Sequence, residues 1–332
     1  MENRKKDHID LAFQSQILSG DADKRFMYEP LLSAHPGDTI PATDFLGKKL
    51  SLPIWVSSMT GGTRLAGTIN RNLARACREF GMGMGLGSCR ILMREKTYFP
   101  DFDMRDVIGD ELPLYANLGI NQVEESLSEG SVDEIRRLVG QLRADGLIVH
   151  INPFQEWFQP EGDRLQRPPL DSVQDLLERV DFPVMVKEVG QGMGMESLEA
   201  LLKLPLAAIE FGAFGGTNFA KVELLRGGDQ PRELFEPLSY VGHDAWQMVD
   251  MTNHIAKASL QELPCRQLII SGGIRSFLDG YYLIHKAKIP AIYGQASTFL
   301  KHARGDYEQL RTFVNYQIQG LAMAYAFLRV RE

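Results

Sequence analysis

Eight short apolar segments recur along the chain, and each stops on a polar or glycine-rich cluster. They occupy 52–58, 81–87, 112–118, 145–152, 182–188, 206–212, 265–272 and 290–296. The clusters that close them read SSMTGGT, GSCR, ANLG, HINPFQE, VKEVGQGMG, FGAFGGTNF, SGGIR and GQAS. Strands that are apolar along their length are those of a parallel sheet buried on both faces. Polar C-terminal ends on all of them fit a (β/α)8 barrel, whose catalytic loops share one rim.

Between these segments the periodicity changes from strand-like to helical. Over 68–80, Ile69, Leu73, Ala76, Cys77 and Phe80 fall at three- and four-residue spacing, opposite Arg71, Arg75 and Arg78. Comparable patterns cover 131–143, 170–180, 197–204, 248–260 and 278–285. Strand–helix alternation predicts a parallel sheet, and right-handed crossovers repeated eight times close it. Three regions stand outside the repeat: 1–50, the turn-rich stretch 159–169 and 227–242. The expected organisation is an N-terminal extension, 1–50, closing over the active site, and one barrel domain, 51–332, with rim insertions.

The totals narrow the function classes. A net charge of −7 argues against general nucleic-acid binding, which needs basic excess. Three widely spaced cysteines without metal-ligand spacing indicate free thiols in a reducing compartment. The N-terminus is charged where a signal peptide needs an apolar core, and no apolar run reaches the length of a membrane span. A cytoplasmic enzyme of small molecules, without membrane or nucleic-acid partner, is expected.

The strand-end clusters nominate chemistry. Glycines after the last three strands let backbone N–H groups approach a phosphate, with Thr217 and Arg275 nearby in sequence. Their alternative reading is tight turns alone. Lys187 ends an apolar strand and needs a partner in the barrel mouth. It can pair with an interior carboxylate such as Glu210, form a Schiff base, or stabilise negative charge on a cofactor ring. Glu156 can hold a divalent cation that also takes substrate phosphates. Gln155 can orient a substrate without ionising, and His150 can meet a phosphate as a cation or hydrogen-bond within the core. Ser88 and Asn117 suit a flavin or cap the following helices. Arg4, Lys5, Lys6 and His8 form either a solvated tail or an anion clamp.

Taken in order, RKKDHI, SSMTGGT, GSCR, ANLG, HINPFQE, PEGDR, VKEVGQGMG, GGTNF and SGGIR resemble the type 2 isopentenyl-diphosphate isomerases along nearly the whole chain. The resemblance implies a barrel enzyme with FMN and Mg²⁺ that interconverts isopentenyl and dimethylallyl diphosphate without net redox change. The flavin works reduced, so NADPH or another reductant charges it first. It further implies that Met59, Thr60, Gly61, Ser88, Asn117, Lys187 and Thr217 contact FMN. Gly272, Gly273, Arg275, Gly294, Gln295 and Ala296 would hold its phosphate. Arg4 and Lys5 would clamp the substrate diphosphate with Arg90, His150 and Asn152; Gln155 would lie by the allylic carbon and Glu156 would bind Mg²⁺. Gln155, Lys187 and His150 are then the catalytic set, and a homo-tetramer or octamer is implied.

The chain departs from the family pattern at Cys89, where glutamine is common, and at Gly212, where serine is frequent. Gln191 is taken as neutral. An FMN-dependent barrel oxidoreductase of the hydroxy-acid oxidase or dehydrogenase type shares the lysine and the phosphate site, but neither His243 nor His285 sits in a convincing rim motif for its base. A flavin- or phosphate-binding sensor without turnover has no need of Gln155, Glu156 and a diphosphate clamp together.

Overall fold

In the computed structural model, residues 2–37, 39–58, 63–227 and 232–331 are described. Eight parallel strands close into a barrel: β1 (Ile54–Val56), β2 (Gly83–Gly85), β3 (Leu114–Gly119), β4 (Gly146–Ile151), β5 (Val184–Glu188), β6 (Ala208–Glu210), β7 (Leu268–Ser271) and β8 (Ala291–Gln295). All eight fall within the predicted segments, apart from one residue at the end of β3, and most are shorter. The trimmed ends are where the chain leaves the ladder to form the rim loops. Strand β8 closes on β1 through the pairs Tyr293↔Ile54, Gly294↔Trp55 and Gln295↔Val56.

The strand bodies are buried on both faces, as their continuous apolar character requires. One contiguous core includes Trp55, Tyr115, Phe211 and Tyr293. Helix Arg64–Phe80 shows how the outer layer is specified. Thr63 caps it by accepting from the Ala66 N–H, and Gly81 ends it in the left-handed conformation, donating to Cys77. Its apolar stripe faces the barrel while Arg75 lies over the Tyr307 ring, 3.7 Å from its centroid. The six predicted helices are present with ends shifted by up to four residues. Helices Ile120–Ser128 and Tyr307–Phe327 were not foreseen.

The N-terminal region departs from the expected cover. The hairpin Thr43–Phe45/Lys48–Leu50 lies at the N-terminal end of the barrel, opposite the rim. Leu46 N–H donates to Gln267 just before β7, and Lys48 Nζ reaches the Asp110 and Leu112 carbonyls and the Asp145 carboxylate just before β3 and β4. Phe26–Tyr28 pairs antiparallel with Leu328–Val330. Residues 3–24, which take in helix Glu2–Ala12 from its second residue onward, are exposed throughout. The hairpin is therefore a floor, because buried Phe45 and Leu50 seal the apolar end.

The two insertions are laced to the rim. In 159–169, the Asp163 N–H donates to Glu156 Oε2 and Arg164 Nη1 to the Glu156 carbonyl. In the second, Gln191 Nε2 donates to both the Leu238 and Val241 carbonyls, and Asn218 Nδ2 to the Ser239 carbonyl. Gln191, expected to be neutral, thus ties the loop after β5 to the segment following β6.

Candidate active site

A cavity of about 250 Å³ opens at the C-terminal rim, lined by the ends of β1, β5, β6, β7 and β8. Lys187, Thr217, Gly272, Gly273, Arg275, Gly294, Gln295 and Ala296 all line it. Residues far apart in sequence meet here because parallel strands present all their C-terminal ends to one rim. Gly272 shows what the cradle demands: its φ is +90°, and a Cβ there would lie 2.1 Å from the Ala213 carbonyl oxygen. Gln295 is held from both sides. Its amide donates to the Ile274 carbonyl at 3.2 Å and accepts from Gln317 at 2.6 Å, so its side chain shapes the turn after β7.

Ser57 and Ser58 also line the cavity, and their buried hydroxyls have no hydrogen-bond partner among the described residues. Sequence reasoning registered the SSMTGGT cluster but not these two positions. The expected contacts Met59, Thr60 and Gly61 lie outside the described residues. Glycine-exposed backbone at one end, a buried ammonium, and hydroxyls without partners together fit a phosphorylated planar heterocycle such as FMN.

Strands β4, β5 and β6 place His150, Lys187 and Glu210 in register, side by side on one rung of the barrel. Lys187 is buried and its Nζ donates to the Glu188 carbonyl at 3.0 Å rather than to a carboxylate. The expected alternative, an ion pair with Glu210, is not formed: both oxygens of fully buried Glu210 are without hydrogen-bond partners among the described residues. Glu188 in turn accepts the backbone N–H groups of Gly190, Gln191 and Gly192 at 2.6–2.8 Å.

His150 Nδ1 lies 2.8 Å from Asn117 Oδ1, and Asn117 Nδ2 donates to the Leu86 carbonyl. The amide oxygen can only accept, so this arrangement puts the proton on Nδ1 and leaves Nε2 as an acceptor. Burial, then the positive charges of Lys187 and Arg90, push the imidazole pKa down to about 3. His150 is therefore neutral here, in keeping with the hydrogen-bonded alternative of its two sequence readings. Asn117 is committed to fixing that ring, and Ser88 is exposed; neither lines the cavity.

Beside this cavity lies a second of about 290 Å³, with Val189 lining both and Asn152 and Gln155 on its wall. Asn152 precedes the short helix Pro153–Phe158 and donates through Nδ2 to Gln155 Oε1 at 3.1 Å and Glu156 Oε1 at 2.9 Å. Its own Oδ1 is buried without a partner among the described residues. Gln155 Nε2 stands 3.5 Å from Glu223, a buried carboxylate that sequence reasoning missed and that Arg226 pairs. Its signal, one acid on the helix after GGTNF, is indistinguishable in sequence from a solvated helical acid.

Glu156 is buried, with its oxygens on Asn152 and the Asp163 N–H. No group of three His, Cys, Asp or Glu able to hold a metal occurs among the described residues. Were Mg²⁺ bound, Glu156 would be the carboxylate to hold it, with ligand phosphate oxygens supplying further donors. Arg4 and Lys5, on the exposed N-terminal helix, have no ion pair among the described residues and are not brought to the rim. Cys89 is fully buried and its thiol donates to the Gly87 carbonyl at 3.4 Å, with burial pushing its pKa up to about 12. That departure is accommodated in the core, away from the cavity.

No protein-family model matches the chain. Among curated proteins it is 34% identical over 306 residues to an isopentenyl-diphosphate delta-isomerase of Rickettsia felis, covering 90% of this chain and 85% of that one. It is also 34% identical over 284 residues to the enzyme of the same name from Deinococcus radiodurans, covering 84% and 80%. Among solved structures, a mandelate oxidase with a monooxide FMN adduct superposes with a TM-score of 0.55 at 16% identity, over 93% of this chain and 89% of that one. Flavocytochrome b2 with sulfite bound gives 0.61 at 13% identity, over 91% and 72%. At such identities the latter two establish a shared barrel. No helix among the described residues is long and apolar enough to cross a membrane.

Proposed function

The chain belongs to the isopentenyl-diphosphate delta-isomerase family, and we propose that it carries out that isomerisation on reduced FMN seated in the rim cavity, with Mg²⁺ on the substrate diphosphate. The observation that carries this reading is the meeting of a glycine cradle, buried Lys187 and two unpartnered serine hydroxyls in one cavity, next to Asn152, Gln155 and Glu156.

The reaction adds a proton to the terminal alkene carbon and removes one from the carbon two bonds away, through positive charge on the branched carbon. When bound, reduced flavin supplies an electron-rich surface that stabilises this charge. The chain's own groups prepare the rest. The ammonium of Lys187, held upward by the Glu188 carbonyl, favours the anionic form of the ring. Gln155 presents an un-ionised amide, oriented by Asn152, beside the tail. A tail of this kind offers only dispersion and shape to bind, so remote diphosphate contacts must hold it in place. Glu156 anchors Mg²⁺, and Arg90 and Asn152 meet the diphosphate. Neutral His150 presents its Nε2 acceptor, and an arriving polyanion favours its protonation there. Arg4 and Lys5 would complete the clamp by movement of the exposed arm. NADPH is the reductant proposed for the flavin.

The direct test is a proton NMR assay with isopentenyl diphosphate, FMN, Mg²⁺ and dithionite under anaerobic conditions. Dimethylallyl diphosphate should appear only in the reduced sample. Bound FMN without conversion would refute the isomerase assignment and favour a hydroxy-acid oxidoreductase.

A further inference from the structure

Glu210 is fully buried on the rung beside Lys187, and neither of its oxygens has a hydrogen-bond partner among the described residues. A carboxylate desolvated in this way is costly, and proteins retain one only where it is compensated. Lys187 is equally out of place as a buried ammonium with one carbonyl acceptor among the described residues for three N–H donors. The two stand on adjacent strands yet form no ion pair; Nζ donates to the Glu188 carbonyl instead. Around Lys187 the other titratable groups are His150 on the same rung, Glu188 next in sequence, and Arg90, whose charge is felt at His150.

We propose that Glu210 is a positioning residue: its carboxylate is the through-space counter-charge of Lys187, keeping the ammonium charged while leaving its N–H donors unspent for the occupant of the cavity. A direct ion pair would satisfy both charges but spend the ammonium's donors on the carboxylate. Holding the charges apart on one rung still leaves attraction between them, since screening inside the barrel is weaker than in bulk water. This assignment rests on the flavin reading of the cavity.

Two measurements test it. The first uses apo-protein: thermal unfolding of the wild type, Glu210→Gln, Lys187→Gln and the double variant. Each single change should lower Tm by several degrees because it strands one buried charge, and the double variant should recover most of that loss. Additive losses, or a rise in Tm for Glu210→Gln alone, would overturn the proposal. The second is the pH profile of kcat in the FMN-loaded enzyme. Glu210→Gln should move the alkaline limb to lower pH by about one unit or more, as Lys187 gives up its proton sooner, and Glu210→Asp should restore it. A loss of rate that is equal at every pH would mean Glu210 only supports the fold, and would also overturn it. Failure of the wild type to bind FMN would overturn the flavin reading, while the apo-protein cycle would still decide whether the charges are coupled.

Discussion

Gly212 is where this chain leaves its family's frequent serine, and the structure gives that choice a physical cost. Its φ is +54°, and a Cβ placed there would lie 2.0 Å from the Glu188 carbonyl oxygen and 2.3 Å from its carbon. Those atoms are backbone at the end of β5, so they cannot rotate aside. The Glu188 carbonyl is also the acceptor that fixes Lys187. Gly212→Ser should therefore incur about 1–2 kcal/mol for a left-handed side-chain-bearing residue and about 1–3 kcal/mol for the displaced strand end. With an unfolding entropy of about 2 cal/mol/K per residue, the 332 residues convert that range to a fall in Tm of roughly 3–7 °C. Losing the carbonyl acceptor of a charged donor should weaken flavin binding or kcat by about tenfold or more. Thermal unfolding of the apo-protein and fluorescence titration with FMN read the two effects separately. Gly130→Ala is the control, since Gly130 has φ +70° with nothing within 4 Å of its Cβ position, and it should show only the conformational part. If Gly212→Ser matches that control in Tm and binds FMN like the wild type, then the β5 end is free to shift and the argument fails.

Other expectations follow from individual contacts. Glu156→Gln should retain FMN absorbance while losing Mg²⁺-dependent turnover, because the carboxylate lies on the helix Pro153–Phe158 after β4 and does not line the rim cavity proposed for FMN; release of FMN instead would make the residue structural. Removing residues 1–6 should leave Tm within about 1 °C, since residues 3–24 are exposed, yet raise KM for the diphosphate; an unchanged KM returns Arg4 and Lys5 to a solvated tail. Burial alone would raise the pKa of Asp145, but Lys48, the Leu114 N–H and Arg105 outweigh it and hold the carboxyl below its usual range. Its stabilising contribution is thus complete above about pH 4 and is lost as pH falls through the lower folded value. The Tm gap between wild type and Asp145→Asn should be full at pH 7 and shrink towards pH 3; a gap independent of pH would contradict this.

Much of the barrel is legible in the sequence because fully buried parallel strands leave uninterrupted apolar runs, and strand ends must carry the polar groups that line a rim. The glycine cradle was legible for a related reason: positive φ at Gly272 and Gly273 excludes other residues, so the requirement is written in composition. Position relative to the barrel was not. Residues 43–50 read as a charged, turn-rich prelude, and nothing in their pattern distinguishes a floor fixed by Lys48 and Asp145 from a cover over the rim. Side-chain commitments were equally hidden. Asn117 and Gln295 stand at strand ends and look like ligand contacts, yet the amides of both are used up within the protein, on His150 and Leu86 and on Ile274 and Gln317. Ser57 and Ser58 carry the opposite lesson, since ordinary serines become informative only when their hydroxyls are found buried without partners.

The contrast between the two ends of the barrel locates the chemistry without any reference to relatives. At the floor, polar groups close on one another: Lys48 and Arg105 share Asp145, which also accepts the Leu114 N–H, and Arg105 caps the Arg143, Gly109 and Leu112 carbonyls. That is what stability alone selects, since every buried donor and acceptor left open there would cost free energy without return. At the rim, Ser57, Ser58, Asn152 and Glu210 all keep atoms without partners among the described residues, and Lys187 has a single acceptor there, although each is more buried than Lys48 and Asp145. Trp55 Nε1, Asn121 Oδ1 and Ser172 Oγ are also without partners among the described residues, but only at the rim do such atoms gather around cavities. That local deficit is one that ligands can fill, so stabilisation of the protein by its cofactor and substrate should act through this rim and leave the Asp145 cluster unaffected.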